Sequence, residues 1–152
     1  MGAAVALALF LLVGLLVTQV IGKGGSRTVA WTDLTDRLGP VGWPRQTISV
    51  IRTRAKLEKI LDKATLDDVP EPPPIDFGRR QAILYAVGPR SSTGYRLHVV
   101  RVSENGERVL VVLRELTPTL GRPVVARITF PYRLITIPRS GKRVAFRLEG
   151  RP

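Results

Sequence analysis

The sequence predicts an all-β domain, a sandwich or compact barrel of about six to seven antiparallel strands, with one short amphipathic helix and an N-terminal transmembrane helix ahead of it. Three observations predict this architecture. The chain begins with a long uncharged apolar run, one segment has helical periodicity, and the second half alternates short β-branched segments with turn residues at roughly ten-residue spacing.

The N-terminal run covers residues 2–22 and contains no charged side chain. As a helix it is roughly 31 Å long, which matches the hydrocarbon thickness of a bilayer. It is longer than the apolar core of a signal peptide, and no small-residue cleavage motif follows before Lys23. We therefore predict that residues 1–22 are an uncleaved membrane anchor; the alternative is a cleaved signal peptide.

Residues 23–45 begin with KGGSRT and contain further Gly and Pro residues, so we predict a tether between the anchor and a β domain over 46–149. Only Lys23 and Arg27 flank the apolar run, and by the positive-inside rule these two charges would leave the domain on the cytoplasmic side. Trp31 and Trp43 lie in the tether, and we expect such large side chains to pack on the domain.

The first part of the β domain contains one strand and the helix. Residues 46–52 alternate as a strand does, and residues 54–64 have apolar side chains at helical spacing after Thr53, a suitable N-cap. The stretch 67–74 is DDVPEPPP, which predicts an extended, polyproline-like connector. The apolar helix positions are Leu57, Ile60, Leu61 and Ala64.

Six further strands are predicted in the second half of the chain. Turn residues separate them, and the clearest turn is Asn105-Gly106, which suits the positive φ angles of a type I′ hairpin. We therefore expect the two strands beside it to pair in the antiparallel sense. The six segments are 81–87, 94–102, 108–116, 124–130, 132–138 and 143–149.

Composition narrows the possible functions. The chain has 24 Lys+Arg against 12 Asp+Glu, a formal charge of +12, no cysteine and one histidine, His98. Disulfides, a cysteine nucleophile and a lipid-modified cysteine are excluded, and imidazoles cannot converge on a metal within one chain. The strands lack the interleaved aromatic residues that stack on bases, so we expect no nucleic-acid partner. We predict a non-enzymatic binding module without cofactor or metal.

Two segments are the candidate contact surface. The first is the loop 88–95, whose glycines allow unusual backbone conformations and whose hydroxyl groups could bind a partner's backbone. The second is the segment 130–132, where a proline interrupts an otherwise continuous strand. Arg90, Tyr95 and Tyr132 are the expected anchors, because Arg and Tyr dominate contact energies. The candidate residues are Gly88, Arg90, Ser91, Ser92, Thr93, Gly94, Tyr95, Phe130, Pro131 and Tyr132.

With these motifs the chain resembles the protease complex subunit PrcB family, in particular its carboxy-terminal domain. The matching pieces occur in order over about residues 46–149 and end with FPY leading into LITIP at 134–138. The resemblance implies an extracytoplasmic accessory subunit of a surface protease complex, held at the membrane here by the N-terminal helix. The other pieces are DFGRR at 76–80, the 88–95 loop, 116–118 and helix 54–64.

Two alternatives stay open. Ser92-Thr-Gly-Tyr95 is similar to a loop of chagasin-like cysteine protease inhibitors, and Gly121-Arg122-Pro123 could act as their arginine-proline loop. Val124 stands where that family has tryptophan, and Arg90-Ser91 where it has Asn-Pro. The second alternative is a basic domain that binds an envelope polymer or anionic lipid.

Overall fold

The computed structural model describes residues 25–64 and 70–150, which form a β-sandwich of two four-stranded sheets. The predicted anchor, residues 1–22, lies outside the described residues. Among the residues that are described, none of the helices is long and apolar enough to cross a membrane. The all-β class and the short helix are confirmed: the predicted helix 54–64 is observed as Arg54–Leu61, and the Thr53 hydroxyl accepts from the Lys56 N–H at 3.2 Å.

The first sheet has the strand order β1-β5-β6-β8 and the second has the order β2-β7-β4-β3. In chain order the elements are β1 Arg27–Thr28, β2 Thr32–Asp33, α1 Thr35–Leu38, β3 Thr47–Ile51, α2 Arg54–Leu61, β4 Arg80–Ala86, β5 Arg96–Glu104, β6 Arg108–Leu116, β7 Tyr132–Pro138 and β8 Arg143–Glu149.

One strand pair corrects the prediction of antiparallel strands throughout. β6 and β8 pair in parallel, in register from Arg108 opposite Arg143 to Arg114 opposite Glu149. The reason is the intervening strand: after β6 the chain crosses to the second sheet, runs back along β7, and returns to the first sheet through residues 139–142. β8 therefore runs in the direction of β6.

The second sheet is covered on both faces. Its inner face packs on the first sheet, with Ile83 and Ile135 among the buried side chains of that core. Its outer face is covered by α2 and by residues 34–43. A sheet buried on both faces has strands that are apolar without interruption, and this accounts for the continuously buried run from Gln81 to Val87.

The segment predicted as a tether, 23–45, differs from that expectation in the structure. From residue 27 onward it adds two short strands and one helical turn to the sandwich. Trp43 is 1% exposed, and its indole N–H donates to the Ile60 carbonyl at 3.3 Å. Apolar side chains draw this stretch onto the outer face of the second sheet; they are Leu34, Leu38, Val41 and Trp43.

Two local predictions are wrong. Residues 124–130 form an exposed loop whose sheet-like pairing is limited to an isolated bridge at Thr129. Prolines at 118, 123 and 131 bracket this segment and remove backbone donors that a strand would need. The β5–β6 hairpin is confirmed, but neither Asn105 nor Gly106 has a positive φ. The Asn105 carboxamide oxygen instead accepts from the backbone N–H groups of Glu107 and Arg108.

Tyr132 joins the outer core to the N-terminal segment. It is 8% exposed, its ring meets the edge of Trp43 at a centroid distance of 5.2 Å, and its hydroxyl donates to the carbonyls of Thr35, at 3.1 Å, and Gly39. Burial, followed by the charges of Asp33 and Asp36, raises the pKa of the Tyr132 hydroxyl.

We expect Tyr132→Phe to lower the free energy of unfolding at pH 7 by about 1 kcal/mol, because the part-buried Gly39 carbonyl loses the hydroxyl as donor while the Thr35 carbonyl keeps only the Gly39 N–H. In the native protein the pKa of Tyr132 lies above its unfolded value, so its contribution is complete below about pH 10 and is lost as the pH rises further. Urea unfolding at pH 7 and above pH 10 measures both effects. Tyr95→Phe is the control. Equal alkaline loss in the wild type and Tyr132→Phe would contradict this account.

Candidate partner-binding site

Two connections between the sheets lie side by side at one end of the sandwich. The crossing segment, residues 87–95, leads from β4 to β5, and the long loop, residues 117–131, leads back from β6 to β7. Their backbones are joined: the Val87 N–H donates to the Pro131 carbonyl at 3.1 Å, and Arg90 and Thr129 exchange two hydrogen bonds of 2.8 and 2.9 Å. The structure thus brings together the two segments that the sequence predicted as one surface.

The hydroxyl groups of Ser92 and Thr93 in the crossing segment form hydrogen bonds with other groups of the protein. The Thr93 hydroxyl accepts from the Val125 N–H at 3.0 Å, and the Thr93 N–H donates to the Val125 carbonyl at 3.1 Å. Ser92 is buried, and its hydroxyl accepts from the Gly94 N–H at 3.3 Å. The Thr129 hydroxyl donates to the Ser92 carbonyl at 2.8 Å. These groups shape the surface by tying the long loop in place.

Both glycines of the crossing segment allow close approach. Gly88 is buried with φ at 83°, and a Cβ there would lie 3.2 Å from the backbone of Arg45. At Gly94 a Cβ would lie 2.8 Å from side-chain carbons of Pro118 and Val124. A side chain at Gly94 would therefore push the long loop away from the crossing segment.

Arg90 forms the central ion pair of the site. Its Nε donates to Glu115 Oε1 at 2.5 Å and one terminal nitrogen to Oε2 at 3.0 Å, while the other donates to the carbonyls of Val87 and Pro89. The Glu115 side chain is 2% exposed and that of Arg90 26%. The bound carboxylate raises the pKa of Arg90. The Arg90 guanidinium carbon also lies 6.0 Å from the centre of the Tyr95 ring.

The expected anchors occupy different positions. Tyr95 is half-buried, Arg90 is engaged by Glu115, and Tyr132 is buried in the outer core. Phe130 and Pro131 are half-buried beside it. Ser91 is exposed in the crossing segment. Arg90 and Tyr132 therefore serve the architecture that positions the site, and neither presents a free side chain to a partner.

The sequence interpretation missed the apolar surface of the long loop, a name that here includes Leu116 at the end of β6. Of the eight large apolar residues that are exposed in the described part of the chain, five lie between residues 116 and 128. Leu120 is fully exposed, Ile128 is 69% exposed and Val125 is 61% exposed. The prolines flanking 124–130 were the available signal, because they argue against a paired strand there. The remaining two members of this apolar surface are Leu116 and Val124.

A surface groove of about 550 Å³ lies between the two connections and the ends of β5 and β6. Its cationic side chains are Arg96, Arg114 and Arg122, and Arg114 is paired with Glu149 at 3.1 Å. Thr93, Gly94 and Val124 contribute to its wall. An apolar loop beside a cationic groove suits a protein segment that carries both apolar and acidic groups. In the described ranges no cluster of three or more His, Asp or Glu side chains could hold a metal ion.

The fold and this site define a β-sandwich that presents a surface built on the connections between its sheets. The family described as PrcB C-terminal matches residues 82–138, and this match confirms the family resemblance predicted from the motifs. The matched residues run from β4 through β7 and contain both connections. The matched range is shorter than residues 46–149, the range over which the sequence resembles the family. No curated protein and no solved structure matches the chain significantly.

We expect the Arg90–Glu115 pair to hold the crossing segment. Glu115→Leu should lower the free energy of unfolding by about 2–4 kcal/mol, because it leaves a partly buried guanidinium without its carboxylate. Arg90→Met should be similarly destabilising, and the double variant should recover part of the loss. Chemical unfolding of the four proteins gives the coupling energy. Strictly additive single losses would show that the pair is not coupled.

Proposed function

We propose that this chain is a non-enzymatic, membrane-tethered protein-binding module that acts as an accessory subunit of an extracytoplasmic protease complex. The family match over residues 82–138 supports an accessory role of this kind. The exposed apolar surface of the long loop, Leu116 to Ile128, supports binding of another protein. The two observations concern the same part of the fold, because the matched residues include the whole loop.

The apolar surface is the single observation that carries the proposal. Large exposed apolar patches on soluble domains mark interaction sites, since their hydration is unfavourable. Full burial of a Leu, Ile or Val side chain contributes about 1.5–3 kcal/mol, so three or four such side chains supply substantial binding energy. The hydrogen bonds from Thr93 and Thr129 hold the loop before a partner arrives, which reduces the entropy lost on binding.

The charge of the groove supports a particular chemistry for the proposed partner. Arg96 and Arg122 lie along it without an ion-pair partner among the described residues. A partner segment with apolar side chains for the loop and one or two carboxylates for these guanidinium groups is complementary in both respects.

The N-terminal segment would hold the domain close to the membrane. The predicted anchor ends at residue 22 and β1 begins at Arg27. Residues 23–26 extend at most roughly 14 Å even when fully stretched. The partner should therefore be a protease that is itself at the cell envelope, within reach of a short tether.

A second candidate function is inhibition of a papain-type protease. One observation favours it: Thr93 and Gly94 of the crossing segment line the same groove as Arg122 and Pro123 of the long loop. The two segments compared with the loops of chagasin-like inhibitors are thus adjacent. Inhibition assays separate the candidates, because an accessory subunit binds its protease without blocking the active site.

The test uses full-length chain in neutral detergent as bait for the envelope fraction of the source organism. We expect one identified protease to be retained with its activity intact at about 150 mM salt. The variant Leu120→Ser, Val125→Ser, Ile128→Ser should retain at least about tenfold less, because it removes most of the apolar contact. The control, Ile48→Ser with Val100→Ser, changes apolar residues that are both 43% exposed and lie elsewhere.

The control should retain the protease at the wild-type level. Equal retention by the loop variant would contradict the proposed surface. Retention of a papain-type protease in an inactive state would favour the inhibitor, and the absence of any retained protease would contradict both functions.

A further inference from the structure

The outward face of the first sheet is rich in arginine. Val109, Val111 and Leu113 of β6 and Val144, Phe146 and Leu148 of β8 belong to the core between the sheets, so the alternate residues of both strands point outward. Arg101 of β5 joins this face, since it lies opposite Val112. The outward arginines of the three strands are Arg96, Arg101, Arg108, Arg114, Arg143 and Arg147.

Most of these guanidinium groups have no counter-charge. Arg114 is paired with Glu149, whereas none of the other five forms an ion pair with any residue that the structure describes. Arg108 and Arg143 are even direct neighbours in the β6–β8 register. Like charges opposite one another destabilise a sheet, so this arrangement costs stability and would be offset by an anionic ligand.

The middle of the face is organised around Val112. This residue points outward yet is 0% exposed. Its neighbours in register are Arg101 on one side and Arg147 on the other. Arginine stems cover apolar surface while their charged ends stay in water. The two stems are thus positioned to cover Val112, which sets the guanidinium groups on either side of the central strand.

We propose that this face binds a linear polyanion along β6, with phosphate or carboxylate groups bound by the flanking arginines of β5 and β8. All the basic residues of the face except His98 are arginines, whose planar forks bind such oxyanions in a bidentate manner. β6 has nine residues, a track of roughly 30 Å. Because the strands of a sheet twist, the arginines follow a curved track, which suits a flexible chain better than a planar lipid surface.

The arginine face meets the partner-binding groove at Arg96 and Arg114, and its other four arginines lie outside the groove. The variant that tests the arginine face changes Arg101, Arg143 and Arg147 to Gln, and none of the three lines the groove. The probe is labelled inorganic polyphosphate, and the protein is the full-length chain in neutral detergent. We expect affinity to fall at least about tenfold and the salt dependence, log K against log salt concentration, to flatten by about two units, since each lost phosphate contact removes about 0.7.

A matched control removes the same charge elsewhere. Arg45, Lys59 and Lys63 are exposed on the other side of the protein, beside the second sheet and α2, and they are changed to Gln together. The affinity of this control variant for polyphosphate should stay within about twofold of the wild-type affinity, because net charge alone contributes weakly at physiological salt. The variant Arg101→Lys, Arg143→Lys, Arg147→Lys keeps the charges but not the bidentate forks, so it should recover only part of the affinity. Urea unfolding of the Gln variant separates lost binding from failure to fold.

Three results would overturn the proposal. Equal losses in the Gln variant and the control would mean that net charge alone attracts the probe. Absence of polyphosphate binding by the wild type at about 150 mM salt would leave no site. Binding to vesicles that contain anionic lipid, lost in the Gln variant, without binding to polyphosphate would assign the face to a membrane surface instead.

Discussion

The mutual attachment of two connections between the sheets determines the shape of the end of the sandwich that carries the proposed binding surface. The crossing segment and the long loop have no regular secondary structure beyond one bridge, so tertiary hydrogen bonds must define their shape. Arg90 is central to them: its backbone pairs with Thr129, and its side chain reaches the buried Glu115 of β6. A residue that looked like a contact anchor instead links the loop, the crossing segment and the first sheet. These bonds hold the backbone of the loop that carries the exposed apolar residues.

The burial of the second sheet on both faces provides the rigid base for this arrangement. β4 and β7 are packed against the first sheet on one side and against α2 and residues 34–43 on the other. Tyr132, at the start of β7, joins the long loop to that outer layer through its hydroxyl and its contact with Trp43. The N-terminal residues that a flexible tether would have left free are therefore part of the support of the site. The family match covers the site, and the outer layer lies mostly outside it.

The sequence predicted what local periodicity determines. Period-two alternation and, for β4, a short apolar run bounded by turn residues located β3 to β8. Helical spacing located α2, and turn residues located the β5–β6 hairpin. Features that depend on distant partners could not be obtained this way. The alternation in 124–130 is that of a strand, but among the described residues its only bridge is the one between Thr129 and Arg90. The parallel β6–β8 pair depends on β7 lying in the other sheet. For the same reason the sequence located the candidate segments but not the roles of Arg90 and Tyr132, which are set by Glu115 and by the Thr35 and Gly39 carbonyls.

Hydrogen bonds hold the long loop, and with it the proposed binding surface, in one conformation in the free protein. Residue-resolved hydrogen exchange of the free, full-length chain tests this claim directly, with the amides of Arg90, Thr93, Val125 and Thr129 as reporters. The structure predicts that these four amides exchange much more slowly than the unbonded amides of the same loop, because each donates to a carbonyl or hydroxyl across the two connections. Exchange as fast as that of an unstructured peptide at all four would contradict it, and the apolar surface would then lack a defined shape in the free protein.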